Sequence, residues 1–265
     1  MSDAARVIVT RAQPEASRWV SDLRARGIAA LALPLLEIAD PLDWTPVDAA
    51  ARQLAQYAAV MFVSGNAARF FCGRMAALGL DVGARCDPFP RAWTPGPGTA
   101  RALLRLGWPA SRIDQPPADA PRFDSESLWS VVQAQVGAGR RVLFVRGADA
   151  RGAGSGRDWL ADRVQQTGAQ ITQVQTYRRM LPHCTPATRA LAAQALGDGS
   201  IWLLSSAEAV ANLRQWLGAA TPLAPARALA THPRIALAAR QAGFGQVGQC
   251  APQLDAVERS IKSAP

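Results

Sequence analysis

Short apolar runs alternate along the chain with longer segments whose apolar residues recur at helical spacing. Residues 7–9, 58–63, 91–94, 142–145, 171–177, 201–204 and 228–230 are apolar runs closed off by Gly, Pro or polar residues, and they read as buried strands. Residues 29–36 read as a further strand. Residues 14–26, ended by Gly27, read as a helix, as do residues 98–106 and 207–217. Strands that are apolar throughout, each followed by an amphipathic helix, predict an α/β fold of parallel sheets with helices on both faces.

The pattern repeats. Val7 to Arg11, a helix, a glycine and a strand resemble Val142 to Arg146 with its own helix, Gly168 and strand. Phe62 to Ala68 resembles Leu203 to Ala209. Gly96 to Ala100, a helix and Gly107 resemble His232 to Ala236, a helix and Gly243. Arg11 and Arg146, Ser64 and Ser205, and Pro97 and Pro233 lie 135, 141 and 136 residues apart. Three segments in one order at one offset predict a duplicated chain with two similar α/β domains. The proline-rich residues 115–122 read as a loop.

Composition narrows the function classes. The 265 residues are 49% hydrophobic and 18% charged, enough apolar material for a sizeable core. The formal net charge is +9, and Lys262 is the lone lysine. The excess of Arg over Lys fits a GC-rich coding sequence. The net positive charge fits a polyanionic ligand, and arginine suits bidentate carboxylate binding. The four cysteines, Cys72, Cys86, Cys184 and Cys250, are scattered without a CxxC pair, and the two histidines form no zinc spacing. No metal site is expected. The tryptophans are not interleaved with basic residues, so no nucleic-acid face is expected. Residues 1–9 carry no signal-peptide pattern and no apolar run reaches the roughly 20 residues of a membrane helix, so a cytoplasmic protein without a membrane partner is expected.

Candidate chemistry sits where strands run into helices. Ser64-Gly65-Asn66, Gly96 to Thr99 and Ser205-Ser206 each stand at such a junction. Ser and Thr there serve equally well as plain helix caps. Gathered along the C-terminal strand edge of an open α/β sheet, however, such turns present free N–H groups to an anion. Arg11 and Arg146 hold matched positions just after their strands, and Arg157 opens the following helix of the second repeat. Carboxylate binding and a surface ion pair are even alternatives for each. GxSxG, HExxH and Walker-A patterns are absent. The glycine-rich residues 152–156 read as a flexible loop. His183 and His232 read as structural, and Tyr57 as packing. Tyr177, at the C-terminal end of its strand beside Arg178 and Arg179, is the best-placed proton donor.

These segments together resemble the uroporphyrinogen-III synthase family, from Val7 to about Cys250. The resemblance rests on Val9-Thr10-Arg11, Leu33 to Ile38, Phe62 to Ala67, Gly96 to Ala100, Ser125-Glu126, Arg146-Gly147, Gly156-Arg157 and Tyr177-Arg178. Near the end, where many members carry Gly-Pro-x-Thr-Ala, this chain has His232 to Ala236, with Ile235 in place of the threonine.

The resemblance implies a division of the chain that the repeat alone cannot give. Residues 1–39 and 180–265 would form one domain and residues 40–179 an inserted second, joined by a two-stranded linker, with an interdomain cleft. It implies a cofactor-free, cyclising lyase acting on hydroxymethylbilane, a linear tetrapyrrole bearing an acetate and a propionate on each ring. Loss of water and inversion of the terminal ring would give uroporphyrinogen III in haem biosynthesis. Tyr177 is then the candidate acid. Arg11, Ser64, Gly65, Asn66, Thr99, Arg146, Arg157, Ser205 and Ser206 are the candidate substrate-binding groups. A monomer is expected, and the resemblance allows transient contact with the preceding enzyme of the pathway. Two rivals stay open on the residues alone: a non-catalytic two-domain ligand-binding protein, and a degenerate regulatory paralogue, to which Ile235 points.

Overall fold

The computed structural model describes residues 6–80, 90–120, 122–154 and 159–263. The first part of the chain forms β1 (Val7–Val9), α1 (Glu15–Ala25), β2 (Ala30–Ala32), β3 (Glu37–Ala39), α2 (Thr45–Arg52), β4 (Ala59–Phe62) and α3 (Gly65–Ala77). Then come β5 (Arg91–Trp93), α4 (Pro97–Arg105), β6 (Ile113–Asp114), α5 (Ser125–Val132), β7 (Arg141–Ala148), α6 (Trp159–Gln166) and β8 (Gln170–Met180). The last part forms α7 (Pro186–Ala195), β9 (Ile201–Leu204), α8 (Ala207–Leu217), β10 (Arg227–Ala230), α9 (Pro233–Ala242), β11 (Gln246–Gln249) and α10 (Leu254–Lys262).

The chain divides into two compact units: Met1–Ile38 with Met180–Pro265, and Ala39–Arg179. In the first unit the sheet order is β11-β10-β9-β1-β2, parallel at every pairing. Side chains alternate across it. Ile8, Trp202, Leu204, Ala228 and Ala230 pack under α7, α8 and α9. Val7, Val9, Ile201, Leu203 and Leu229 pack under α1 and α10. Strands this short hold because both faces are buried. The Trp202 indole N–H, wholly buried, donates to the Ala195 carbonyl at 3.0 Å.

In the second unit the order is β3-β8-β7-β4-β5-β6, with parallel pairing from β8 to β6. Ala59, Met61, Trp93, Val142 and Phe144 face α5 and α6. On the other face Phe62 meets Phe71 of α3 and Trp108 edge-on, at centroid distances of 5.9 and 5.2 Å. The two sheets share one topology shifted cyclically along the chain. Strands β4, β5, β6, β7 and β8 of the second unit stand where β9, β10, β11, β1 and β2 stand in the first.

The expected strand at residues 29–36 is shorter than read. β2 ends at Ala32 because Pro34 has no N–H to give the ladder. Leu33 and Leu35 still donate to the carbonyls of Val9 and Thr10, so the chain stays alongside β1. Strand β8 runs past Tyr177 to Met180, and Arg146 lies inside β7 rather than beyond it. The glycine-rich segment is a tight turn as far as it is described: the Asp149 carboxylate accepts the N–H groups of Arg151 and Ala153 at 2.9 and 3.0 Å.

A polar network closes the outer end of the second sheet. Asp114 of β6 takes both Arg91 Nε and Nη2 at 2.5 Å. It also accepts from Gln135 at 3.2 Å, and Gln135 accepts the buried Trp93 indole N–H at 2.8 Å. Asp114→Ala leaves Arg91 and Gln135 without this acceptor. It is expected to cost about 1–3 kcal/mol in urea unfolding; a change below about 0.5 kcal/mol would show that the network holds nothing in place.

Candidate active site

Parallel pairing puts the C-terminal ends of neighbouring strands along one edge, and the polar turns gather there. In the first unit β1 leads to Thr10 and Arg11, β9 to Ser205 and Ser206, and β10 to Thr231 and His232. Thr10 Oγ1 donates to the Leu203 carbonyl at 2.8 Å and ties two strand ends together. Ser206 caps α8 by accepting the Glu208 N–H at 3.2 Å. His232 caps α9 through Nδ1, which accepts the Arg234 N–H at 3.1 Å. The structural reading of His232 is thus a specific one. Ile235, in the first turn of α9, is buried in the core, which accounts for an apolar side chain there.

Arg11 sits over the Trp19 ring at 4.5 Å and meets Glu15 at 3.3 Å. Its Nε is buried and has no hydrogen-bond partner among the described residues. Burial pulls the guanidinium below its ordinary value, with Glu15 pulling the other way. A carboxylate arriving there would meet a cation that its own chain satisfies only in part.

The second unit carries the matching row. β4 leads to Ser64 and α3, β5 to Gly96 and α4, and β7 ends with Arg146 and Gly147 in its last turn of ladder. Ser64 caps α3, accepting the Ala67 N–H at 3.1 Å. Gly65 opens α3, and Asn66 accepts from Arg69 at 3.1 Å. Thr99 lies in the first turn of α4 and is buried. Arg146 reaches Gln173 at 3.1 Å. Arg157 lies outside the described residues.

Tyr177 joins this row through a defect in the ladder. β7 and β8 run in register to Arg146–Gln175, then shift so that Gly147 faces Tyr177 and Thr176 is the extra residue. The phenol ring lies flat against the Gly147 backbone. A Cβ on Gly147 would stand 2.6 Å from Cε2 and 2.7 Å from the hydroxyl oxygen of Tyr177. The Phe70 ring of α3 packs on it at a centroid distance of 5.8 Å. The hydroxyl then meets Ser64 Oγ at 3.1 Å. Tyr177 is 5% exposed, so its position is fixed by packing while its oxygen stays at the strand-end row.

Sequence reasoning found Tyr177 and Ser64 separately and missed their contact, along with Phe70 and the role of Gly147. The one available signal was a glycine two residues beyond an apolar run, which fits a close approach of the backbone.

Other chemistry is sparse. Burial pushes the Cys72 thiol up to about 12 and the Cys250 thiol to about 11, so neither is a nucleophile at neutral pH. Among the described residues no cluster of His, Cys, Asp and Glu is placed to hold a metal, and no helix is long and apolar enough to cross a membrane. A cavity of about 440 Å³, lined by Tyr57, Arg91, Arg112, Gln135 and Arg140 among others, opens where β4, β5 and β7 begin. It contains none of the strand-end groups, which stand at the other edge.

The family model described as uroporphyrinogen-III synthase HemD matches residues 17–256. The uroporphyrinogen-III synthase of Salmonella typhimurium is 27% identical over 248 residues, 91% of this chain and 93% of that protein. The Synechococcus elongatus protein of the same name is 29% identical over 188 residues, 68% of this chain, and the chain spans 62% of that relative's length. In fold, the chain is similar to solved structures of a mutant uroporphyrinogen III synthase from Thermus thermophilus and of uroporphyrinogen-III synthetase from Helicobacter pylori. The TM-score is 0.58 in both cases, at 18% and 17% identity, with 98% of this chain covered by each and 98% and 100% of those chains matched.

If the Tyr177 ring is what Gly147 makes room for, Gly147→Ala is expected to destabilise the protein by about 1–3 kcal/mol in urea unfolding. In a Tyr177→Ala background the same change is expected to cost less than about 0.5 kcal/mol, because the obstacle is gone. Equal costs in the two backgrounds would show that the ring is not the obstacle.

Proposed function

The chain belongs to the uroporphyrinogen-III synthase family, and on that premise we propose that it converts hydroxymethylbilane to uroporphyrinogen III with loss of water. The match across both units carries this reading. The net charge of +9 supports a polycarboxylate substrate.

The chemistry begins at the terminal hydroxymethyl group. Tyr177 gives its proton to the departing hydroxyl, which leaves as water and leaves an azafulvene cation. A phenol is the right donor for this step because it keeps its proton in neutral water. The far pyrrole ring attacks through its substituted carbon and forms a spiro intermediate. Cleavage and re-closure at the other carbon invert that ring. The proton released as the re-closed ring regains aromaticity restores the phenol, so the net change is loss of one water.

Arg11, Gly65, Asn66, Thr99, Arg146, Ser205 and Ser206 hold acetate and propionate groups, by charge at the arginines and by helix N-terminal N–H groups elsewhere. Holding the bilane folded is the main contribution of the protein, since unguided closure gives the unrotated isomer. Orientation of this kind can lower a barrier by about 7–11 kcal/mol. The reaction as written consumes no redox equivalent and transfers no group to a carrier.

Two measurements test this. Purified protein given fresh hydroxymethylbilane is expected to yield the type III isomer on chromatographic separation, and a product that is type I alone would overturn the activity. Tyr177→Phe is expected to lower kcat by about 100-fold, at the lower end of what a positioned acid contributes. Full rate in that variant would remove the acid role and leave the activity standing.

A further inference from the structure

Resting on that reading of Tyr177, we propose that Ser64 is a positioning residue, one that donates its hydroxyl proton to Tyr177 and so turns the phenol's own proton towards the substrate. Placed at a strand end, Ser64 looks like one more anchor for a carboxylate. Its surroundings say otherwise, because its oxygen already has two partners in its own unit: the Ala67 N–H and Tyr177 Oη, each at 3.1 Å.

The hydrogen-bond inventory leaves Ser64 free to act as the donor. A serine hydroxyl has one proton and two lone pairs. One lone pair is occupied by the Ala67 N–H at the first turn of α3. Accepting that bond, at the positive end of a helix, polarises the Ser64 O–H towards donation. With Ser64 as the donor, its proton spans the 3.1 Å to Tyr177 Oη and leaves the phenol proton to the substrate. In the opposite direction the phenol proton would be held by Ser64 and withheld from the leaving group.

The packing around Tyr177 fixes the phenol oxygen. The ring of Tyr177 is pinned between the bare Gly147 backbone and Phe70, so the oxygen stays in place while the O–H bond still rotates. A donor fixed on one side of that oxygen selects the rotor position on the other. The same Ser64 proton then faces the oxyanion that remains after Tyr177 has given its proton to the departing hydroxyl. No atom is gained or lost at Ser64 during the cycle.

The test compares steady-state kinetics of five variants on hydroxymethylbilane. Ser64→Ala is expected to lower kcat about tenfold, the worth of one hydrogen bond at about 1.4 kcal/mol per factor of ten, with KM held within about twofold. Ser64→Thr keeps both the cap and the proton and is expected to recover kcat to within about threefold of the parent. Ser64→Asp keeps the cap but has no proton to give at neutral pH, and is expected to be as slow as Ser64→Ala while keeping the parent's Tm. In a Tyr177→Phe background, Ser64→Ala is expected to cause no further loss in kcat. A rise in KM at unchanged kcat, a parental kcat for Ser64→Asp, or losses that multiply with a slow Tyr177→Phe would each overturn the proposal and leave the acid role of Tyr177 intact. A Tyr177→Phe enzyme at full rate would overturn both.

Discussion

The pairing of β1 with β9 is the contact on which the first unit depends. Val7, Ile8 and Val9 lie in parallel register with Ile201, Trp202 and Leu203, and Thr10 Oγ1 and the Ile201 N–H add bonds at either end. Parallel strands cannot be joined by a tight turn and need a crossover. Here the chain builds the whole of the second unit between these two partners. Every strand-end turn of the first unit, from Arg11 to Ser206 and His232, takes its place from that register.

Where both faces of a strand are buried, the sequence was transparent. The cores of β1, β4, β5, β7, β9 and β10 are continuous apolar runs, and the three repeated segments fall on matching strands of two sheets with one topology. Apart from β2, the edge strands among the described residues carry no such mark. Glu37–Ala39, Ile113–Asp114 and Gln246–Gln249 are short or polar, and only the neighbouring strand defines them. The site was legible to the same extent. Tyr177 and Ser64 could be picked out from their positions, but their meeting depends on a one-residue shift at Thr176, and periodicity does not report a bulge. Arg11 was legible as a cation after a strand. Its stacking on Trp19 and its unpartnered Nε were not, because both depend on how α1 turns back over β1.

The duplication is uneven where the chemistry is placed. At the 135-residue offset, Gly147 corresponds to Ala12, whose methyl group packs against the apolar core of the first unit. Where Thr99 stands in the second unit, Ile235 stands in the first. Both units keep helix N-termini and an arginine at the strand ends, which is what anion binding asks of them. The second unit alone has opened a strand backbone to admit a phenol. The copies thus share strand-end turns of one kind, and the phenol beside Gly147 distinguishes one from the other.

The order of synthesis gives the inserted arrangement a further consequence. As the chain leaves the ribosome, β1 and β2 emerge before the second unit, and β1's partner β9 follows only after all of Ala39–Arg179 has been made. At translation rates of about 5–20 residues per second that interval is on the order of ten seconds or more. The second unit can close its sheet in that time, since its strands are contiguous in the chain. The pair Val7–Val9 and Ala30–Ala32, with α1 on one face, must wait with the edge for β9 and the face for α7, α8 and α9 open. These strands, made before the second unit, are therefore sheltered after it, and until β9 arrives their open edge is a place for misassociation.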